Sequence, residues 1–103
     1  MEGVDFRLLG SLEVRVDGAP VPLPGAAERG LLALLLLSAG RAVAATSLVD
    51  RLWSGSTMPV DPANALQLRV SKLRRALAAV GLDVVSRAGA GYRADVAPAR
   101  VDV

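Results

Sequence analysis

Apolar and polar residues alternate over Val4–Leu9 and again over Leu12–Val16, on either side of Gly10-Ser11, which predicts two short strands. Asp17-Gly18 is a hairpin signal leading into a third strand over Val21–Leu23. Pro20, Pro22 and Pro24 confine that strand to a sheet edge and stop it. From Ala26 to Ser38 leucines run almost without interruption, predicting a helix apolar around nearly its whole circumference, with Gly40 as its C-cap. Such a helix belongs in the middle of a core. Arg41-Ala42-Val43 then predicts one further short strand in the N-terminal set. A short helix follows, ending near Leu52-Trp53, with Leu48 and Leu52 one turn apart and Thr46 or Ser47 as its cap. Trp53 is expected in the core, and Ser54–Val60 is a loop by composition.

Asp61-Pro62 opens the most informative element, because Asp is a preferred N-cap and Pro is favoured at the first helical position. Leu66, Val70, Leu73, Leu77 and Val80 follow at spacings of four and three, giving one apolar stripe, and Gly81 ends the helix. At about 100° per residue the opposite side carries Asn64, Gln67, Leu68, Ser71, Lys72 and Arg75, with Arg69 and Arg74 on the flanks. Val84–Arg87 and Tyr92–Val96 then form a β-hairpin around Ala88-Gly89-Ala90-Gly91, bracketed by Arg87 and Arg93. Pro98 and the sparse tail to Val103 read as the start of a linker, which leaves one domain over residues 4–97.

Composition narrows the function classes. The 103 residues contain no Cys and no His, which removes disulfides, thiol nucleophiles, imidazole acid–base catalysis and the usual zinc sites. No phosphate-binding G-x-x-x-x-G-K-[ST] loop occurs, and no paired carboxylates share a helix face, so an enzyme has almost no support and no cofactor or metal is expected. The greasiest stretch, Gly30–Gly40, falls well short of the ~20 residues needed to span a bilayer. With no secretory signal at the N-terminus, a cytoplasmic protein without a membrane partner is expected.

Charge is what changes the picture most. The net charge is only +2, yet residues 62–93 hold six basic side chains against Asp83 alone, while the rest holds six basic and nine acidic ones. A solvated helix face normally mixes signs to gain pairs one turn apart, but residues 62–80 contain no acid. Gln, Ser, Lys and Arg are also the side chains that donate to phosphates and base edges. The pattern therefore points to a recognition helix for the major groove of duplex DNA, followed by a hairpin whose small-residue tip can approach a sugar–phosphate backbone. Single-stranded RNA is disfavoured, since its readers stack bases on aromatics and only Phe6, Trp53 and Tyr92 are present. The alternative is a protein-interaction module whose basic face meets an acidic partner.

Strands, a buried helix, a short helix, a loop, a cationic helix and a Gly-tipped hairpin make an α+β winged helix-turn-helix. Asp5-Phe6-Arg7-Leu8-Leu9-Gly10-Ser11-Leu12-Glu13-Val14 resembles the opening of the Streptomyces antibiotic regulatory proteins, as do Glu28-Arg29, Ala39-Gly40-Arg41 and Leu48-Val49-Asp50-Arg51-Leu52-Trp53. Ala65-Leu66-Gln67 with Val70-Ser71-Lys72-Leu73-Arg74-Arg75-Ala76-Leu77 resembles that family's recognition helix, and Gly91-Tyr92 its wing. The resemblance implies an OmpR-type DNA-binding domain with an N-terminal antiparallel sheet, three helices and a C-terminal hairpin, from an activator of secondary-metabolite genes. It implies binding to promoter direct repeats and RNA polymerase contact through the loop Ser54, Gly55, Ser56, Thr57 and Met58. It also implies a helical-repeat activation domain beyond Val103. Because one winged helix covers one half-site and no helix is spare for dimerisation, a monomer in free solution that binds the repeats head to tail is expected. By position, Gln67, Leu68, Ser71 and Lys72 match residues that face bases or phosphates. Arg69, Arg74 and Arg75 match backbone contacts, and Tyr92 and Arg93 match wing positions near phosphate. Arg87, in a tip one residue longer than the family's, is the candidate for the minor groove. Ala44 stands where the family carries a Ser or Thr cap, implying a second helix that starts late or frays.

Overall fold

A computed structural model of the chain describes residues 4–8, 12–23 and 25–102. The Gly10-Ser11 turn and Pro24 lie outside the described residues. Strands β1 (Val4–Arg7), β2 (Glu13–Val16) and β3 (Ala19–Val21) form an antiparallel meander at the N-terminus. Val4, Phe6 and Val14 point inward and are buried, as the alternation requires. Asp17 and Gly18 both take positive φ, 52° and 80°, the two-residue turn whose twist matches a hairpin. That turn pairs Val16 directly with Ala19, so β3 starts two residues earlier than its composition suggested and ends before Pro22. It is an edge strand, where Pro20 is tolerated.

Helix α1 (Ala26–Leu36) buries Leu31, Leu32, Leu35 and Leu36. It stops short of the expected Ser38 because Ser38 and Ala39 donate to Leu35 and Leu36, tightening the chain into three-residue turns. Ala26, Ala27 and Arg29 are exposed and Leu34 is only half-buried, so the helix is not buried on every side. Gly40 lies beyond the helix proper, at φ 80°, with its N–H donating to the Ala94 carbonyl at 2.9 Å. Next come β4 (Ala42–Ala44), α2 (Ala45–Leu52) and α3 (Pro62–Ala78), and then the wing strands β5 (Val85–Ala88) and β6 (Gly91–Ala94).

Three expectations need correction. Strand β4 does not join the N-terminal sheet; it pairs antiparallel with β6, giving a separate sheet ordered β4-β6-β5. Neither Thr46 nor Ser47 caps α2: Ala44 occupies the N-cap with no side-chain hydrogen bond, and the helix starts at Ala45 without delay. The Ala45 N–H, which lacks that cap, donates instead to the Ala90 carbonyl at the wing turn, 3.0 Å away. Finally, the tail is not a linker over its described length. Pro98–Arg100 form a 3₁₀ turn, and β7 (Val101–Asp102) pairs parallel with β1, making the first sheet mixed and ordered β3-β2-β1-β7.

The core lies between the N-terminal sheet, the three helices and the wing sheet. Phe6, Leu31, Leu35, Leu48 and Leu73 are fully buried at its centre. No helix among the described residues is long and apolar enough to cross a membrane. Because Leu73 on α3 is completely buried, Leu73→Ala is expected to cost about 2–5 kcal/mol, against a total of about 5–15 for a small domain. Urea or thermal unfolding followed by circular dichroism checks this; an unchanged midpoint would contradict the packing.

Candidate nucleic-acid interface

Helix α3 is specified at both ends. Asp61 accepts a hydrogen bond from the Asn64 N–H at 3.2 Å, and Pro62 takes the first helical position. At the other end Gly81, at φ 79°, donates to the Ala78 carbonyl, and the Leu82 N–H reaches back to Leu77 at 2.9 Å. These two bonds satisfy helix-end carbonyls in the Schellman manner. In between, Leu66, Val70, Leu73 and Leu77 are buried while Val80 is half-buried. Burial of that stripe sets the rotation of the helix and turns the opposite face to solvent.

Asn64, Gln67, Leu68, Ser71, Lys72, Arg74 and Arg75 are all exposed on α3. Among the described residues Lys72, Arg74 and Arg75 form no ion pair, and neither does Arg87, exposed on β5. A shallow groove lined by Ser71, Arg74, Arg75, Asp83 and Val85 joins the second half of α3 to the base of the wing. The cationic helix and β5 are thus contiguous, with Arg87 two residues along the same strand.

Three candidates sit differently. Arg69 is half-buried, its guanidinium stacked 4.3 Å from the Trp53 ring centre in a cation–π contact. Trp53 itself is only partly buried and joins the rim of the core, where it closes the junction between α2 and α3. Tyr92 is 9% exposed and belongs to the core, cross-strand from Arg87. Arg93 is held by Asp95 at 2.7 Å. The Asp95 carboxyl lies below its ordinary range, lowered first by the neighbouring Ser86 hydroxyl, opposed next by burial, and lowered further by Arg93. Ser86 Oγ is buried and meets no partner at full hydrogen-bonding geometry. Sequence reasoning missed the Arg69–Trp53 stack and the Arg93–Asp95 pair. Alternation along a strand places Arg93 and Asp95 on one side, so that pair was legible; the stack, between two elements, was not.

The wing turn is Gly89-Ala90, with Gly89 at φ 55°. Gly91 packs so closely on β4 that a Cβ there would overlap the Val43 carbonyl, so only glycine fits. Loop residues Ser54, Gly55, Ser56, Thr57 and Met58 are exposed, and the Ser56 hydroxyl donates to the Trp53 carbonyl at 3.2 Å.

Residues 18–94 match the family model described as "Transcriptional regulatory protein, C terminal". The chain belongs to this OmpR-type family of DNA-binding domains. Its relatives are transcription regulators of the Streptomyces antibiotic regulatory type. It is 34% identical over 96 residues to the transcriptional regulatory protein EmbR of Mycobacterium tuberculosis, covering 90% of this chain and 24% of EmbR. It is 35% identical over 74 residues to the transcriptional regulator RedD of Streptomyces coelicolor, covering 72% of this chain and 21% of RedD. The chain therefore spans about a quarter of the length of these relatives. In structure it superposes on M. tuberculosis EmbR, solved in complex with a low-affinity phosphopeptide, with a TM-score of 0.80 and 32% identity over 96% of this chain and 27% of that one. The C-terminal domain of the nisin resistance regulator NsrR shares the fold, with a TM-score of 0.65 at 24% identity over 91% of this chain and 92% of that one.

Proposed function

We propose that this OmpR-type domain is a sequence-specific reader of promoter DNA that lays α3 in the major groove and the β5–β6 hairpin against the adjacent backbone. The observation that carries the reading is the acid-free outward face of α3, exposed along its length in a fold shared with transcription regulators. Gln67, Ser71 and Lys72 supply donors and acceptors for base edges, while Arg74 and Arg75 supply phosphate contacts. Arg69 reaches the backbone from its Trp53 platform. Asn64 lies at the N-terminal end of the face, and Arg87 lies at the wing, nearest the minor groove. The ring of Tyr92 supports the wing from inside, and Arg93 has to share itself between Asp95 and phosphate.

The likeness to RedD, a Streptomyces coelicolor regulator, supports a role at secondary-metabolite promoters in the bacterial cytoplasm. It also supports a longer regulator in which a helical-repeat activation domain accompanies this one. Monomers free in solution bind tandem direct repeats about one helical turn apart, and the exposed loop Ser54–Met58 contacts RNA polymerase.

Two experiments test these assignments. Lys72→Ala is expected to lose about 1–3 kcal/mol of specific affinity and relax preference at one or two bases. Arg74→Ala is expected to weaken all duplexes alike and to flatten the slope of log K against log[salt] by about 0.9. Fluorescence anisotropy over a salt series reads both, with unfolding midpoints unchanged; the opposite pattern would reverse the assignment. On a two-repeat promoter, inserting half a helical turn is expected to release the second copy. Met58→Asp is expected to leave DNA occupancy intact while abolishing co-binding of RNA polymerase holoenzyme. A second copy that stays bound after the insertion would contradict the tandem part of the proposal, and polymerase that still co-binds with Met58→Asp would contradict the polymerase part.

A further inference from the structure

We infer that Leu68 is a specificity-determining residue that reads the C5-methyl group of a thymine, an inference that rests on the DNA-reading role proposed above for α3. Asn64, Leu68, Ser71 and Arg75 form the central row of the outward face, at the i, i+4, i+7 and i+11 positions of the helix. Every other member of that row is polar or charged. Leu68 leaves 57% of its surface in water, although a position so far from the core needs no leucine for folding. The large apolar side chains that are also exposed, Leu37, Met58 and Val60, lie on other elements. On α3 itself Leu68 is the one exposed large apolar side chain among the described residues.

The surroundings define the chemistry of the partner. Lys72 lies one turn beyond Leu68, Gln67 beside it and Asn64 one turn before, and no acid stands anywhere on the helix. The partner is therefore anionic and rich in acceptors, yet it offers one small apolar group at the middle of the contact. The major groove of duplex DNA has this combination. Among base edges there, thymine alone presents an apolar group, its C5-methyl, flanked by O4 and by the N6 and N7 of the paired adenine. Leu68 also sits in the second turn of α3, in the N-terminal half that recognition helices direct at base edges. Gln67, whose amide can pair with adenine N6 and N7, is adjacent to it. Leu68 and Gln67 together fit an A·T pair or two neighbouring ones.

The test replaces thymine by uracil, which removes the methyl and leaves the hydrogen-bonding edges intact. Duplexes selected by the wild-type chain from a random pool are resynthesised with uracil at one thymine position at a time. At one position the wild-type affinity is expected to fall about fourfold, the worth of one buried methyl-sized group. Leu68→Ala is expected to bind the thymine and uracil duplexes equally well at that position. Alanine is the best helix former, so this variant keeps its unfolding midpoint. Indifference of the wild type to uracil at every position would overturn the inference, and so would full discrimination retained by Leu68→Ala. If selection yields no consensus and affinity does not fall with salt, the DNA reading itself fails, an outcome distinct from salt-dependent, sequence-specific binding that ignores the methyl.

Discussion

Burial of the leucine stripe on α3 is the constraint on which the rest of the structure depends. Leu66, Val70, Leu73 and Leu77 pack against α1 and α2, and each such side chain contributes about 1.5–3 kcal/mol when fully buried. Because one side of a helix is fixed in this way, the other is fixed too. Lys72, Arg74 and Arg75 cannot turn inward without exposing the stripe, so their mutual repulsion is accepted at the surface, where the proposed DNA partner would relieve it. The same arrangement leaves Leu68 uncovered at the centre of the outward face.

The wing depends on the helices in turn. The Ala45 N–H binds the turn carbonyl of Ala90, the Gly40 N–H binds Ala94, and Gly91 lies flat against Val43. These contacts tie the β5–β6 hairpin to the start of α2 and the end of α1 through β4. The hairpin is therefore a strand pair of a three-stranded sheet rather than a free flap. A fixed wing beside a fixed helix can engage one stretch of duplex without ordering either element on binding.

Legibility in the sequence followed how local each signal was. Helix α3 was readable because its cap, first-turn proline, stripe and terminal glycine all fall within 21 consecutive residues, Asp61 to Gly81. The Asp17-Gly18 turn was readable for the same reason. The partner of β4 and the return of β7 to β1 were not, because both are long-range pairings with little side-chain signature: Ala42–Ala44 and Val101–Asp102 are short, and their register comes from backbone contacts across the fold. The proline at 98 suggested a linker, yet it opens a turn that delivers the chain to the sheet. At the candidate interface, helical spacing alone placed the exposed residues of α3. It could not foresee that Arg69 would lean on Trp53, or that Tyr92 would be taken up by the core.

The outward side of α3, continued by the wing, is the surface proposed to meet DNA. Amide chemical-shift mapping of the labelled chain titrated with a selected duplex tests it most directly. Perturbations are expected to concentrate at Asn64, Gln67, Leu68, Ser71, Lys72 and Arg75, with a second group at Arg87–Ala90, and little change along β1 to β3. Perturbations centred on the N-terminal sheet, with α3 silent, would contradict it.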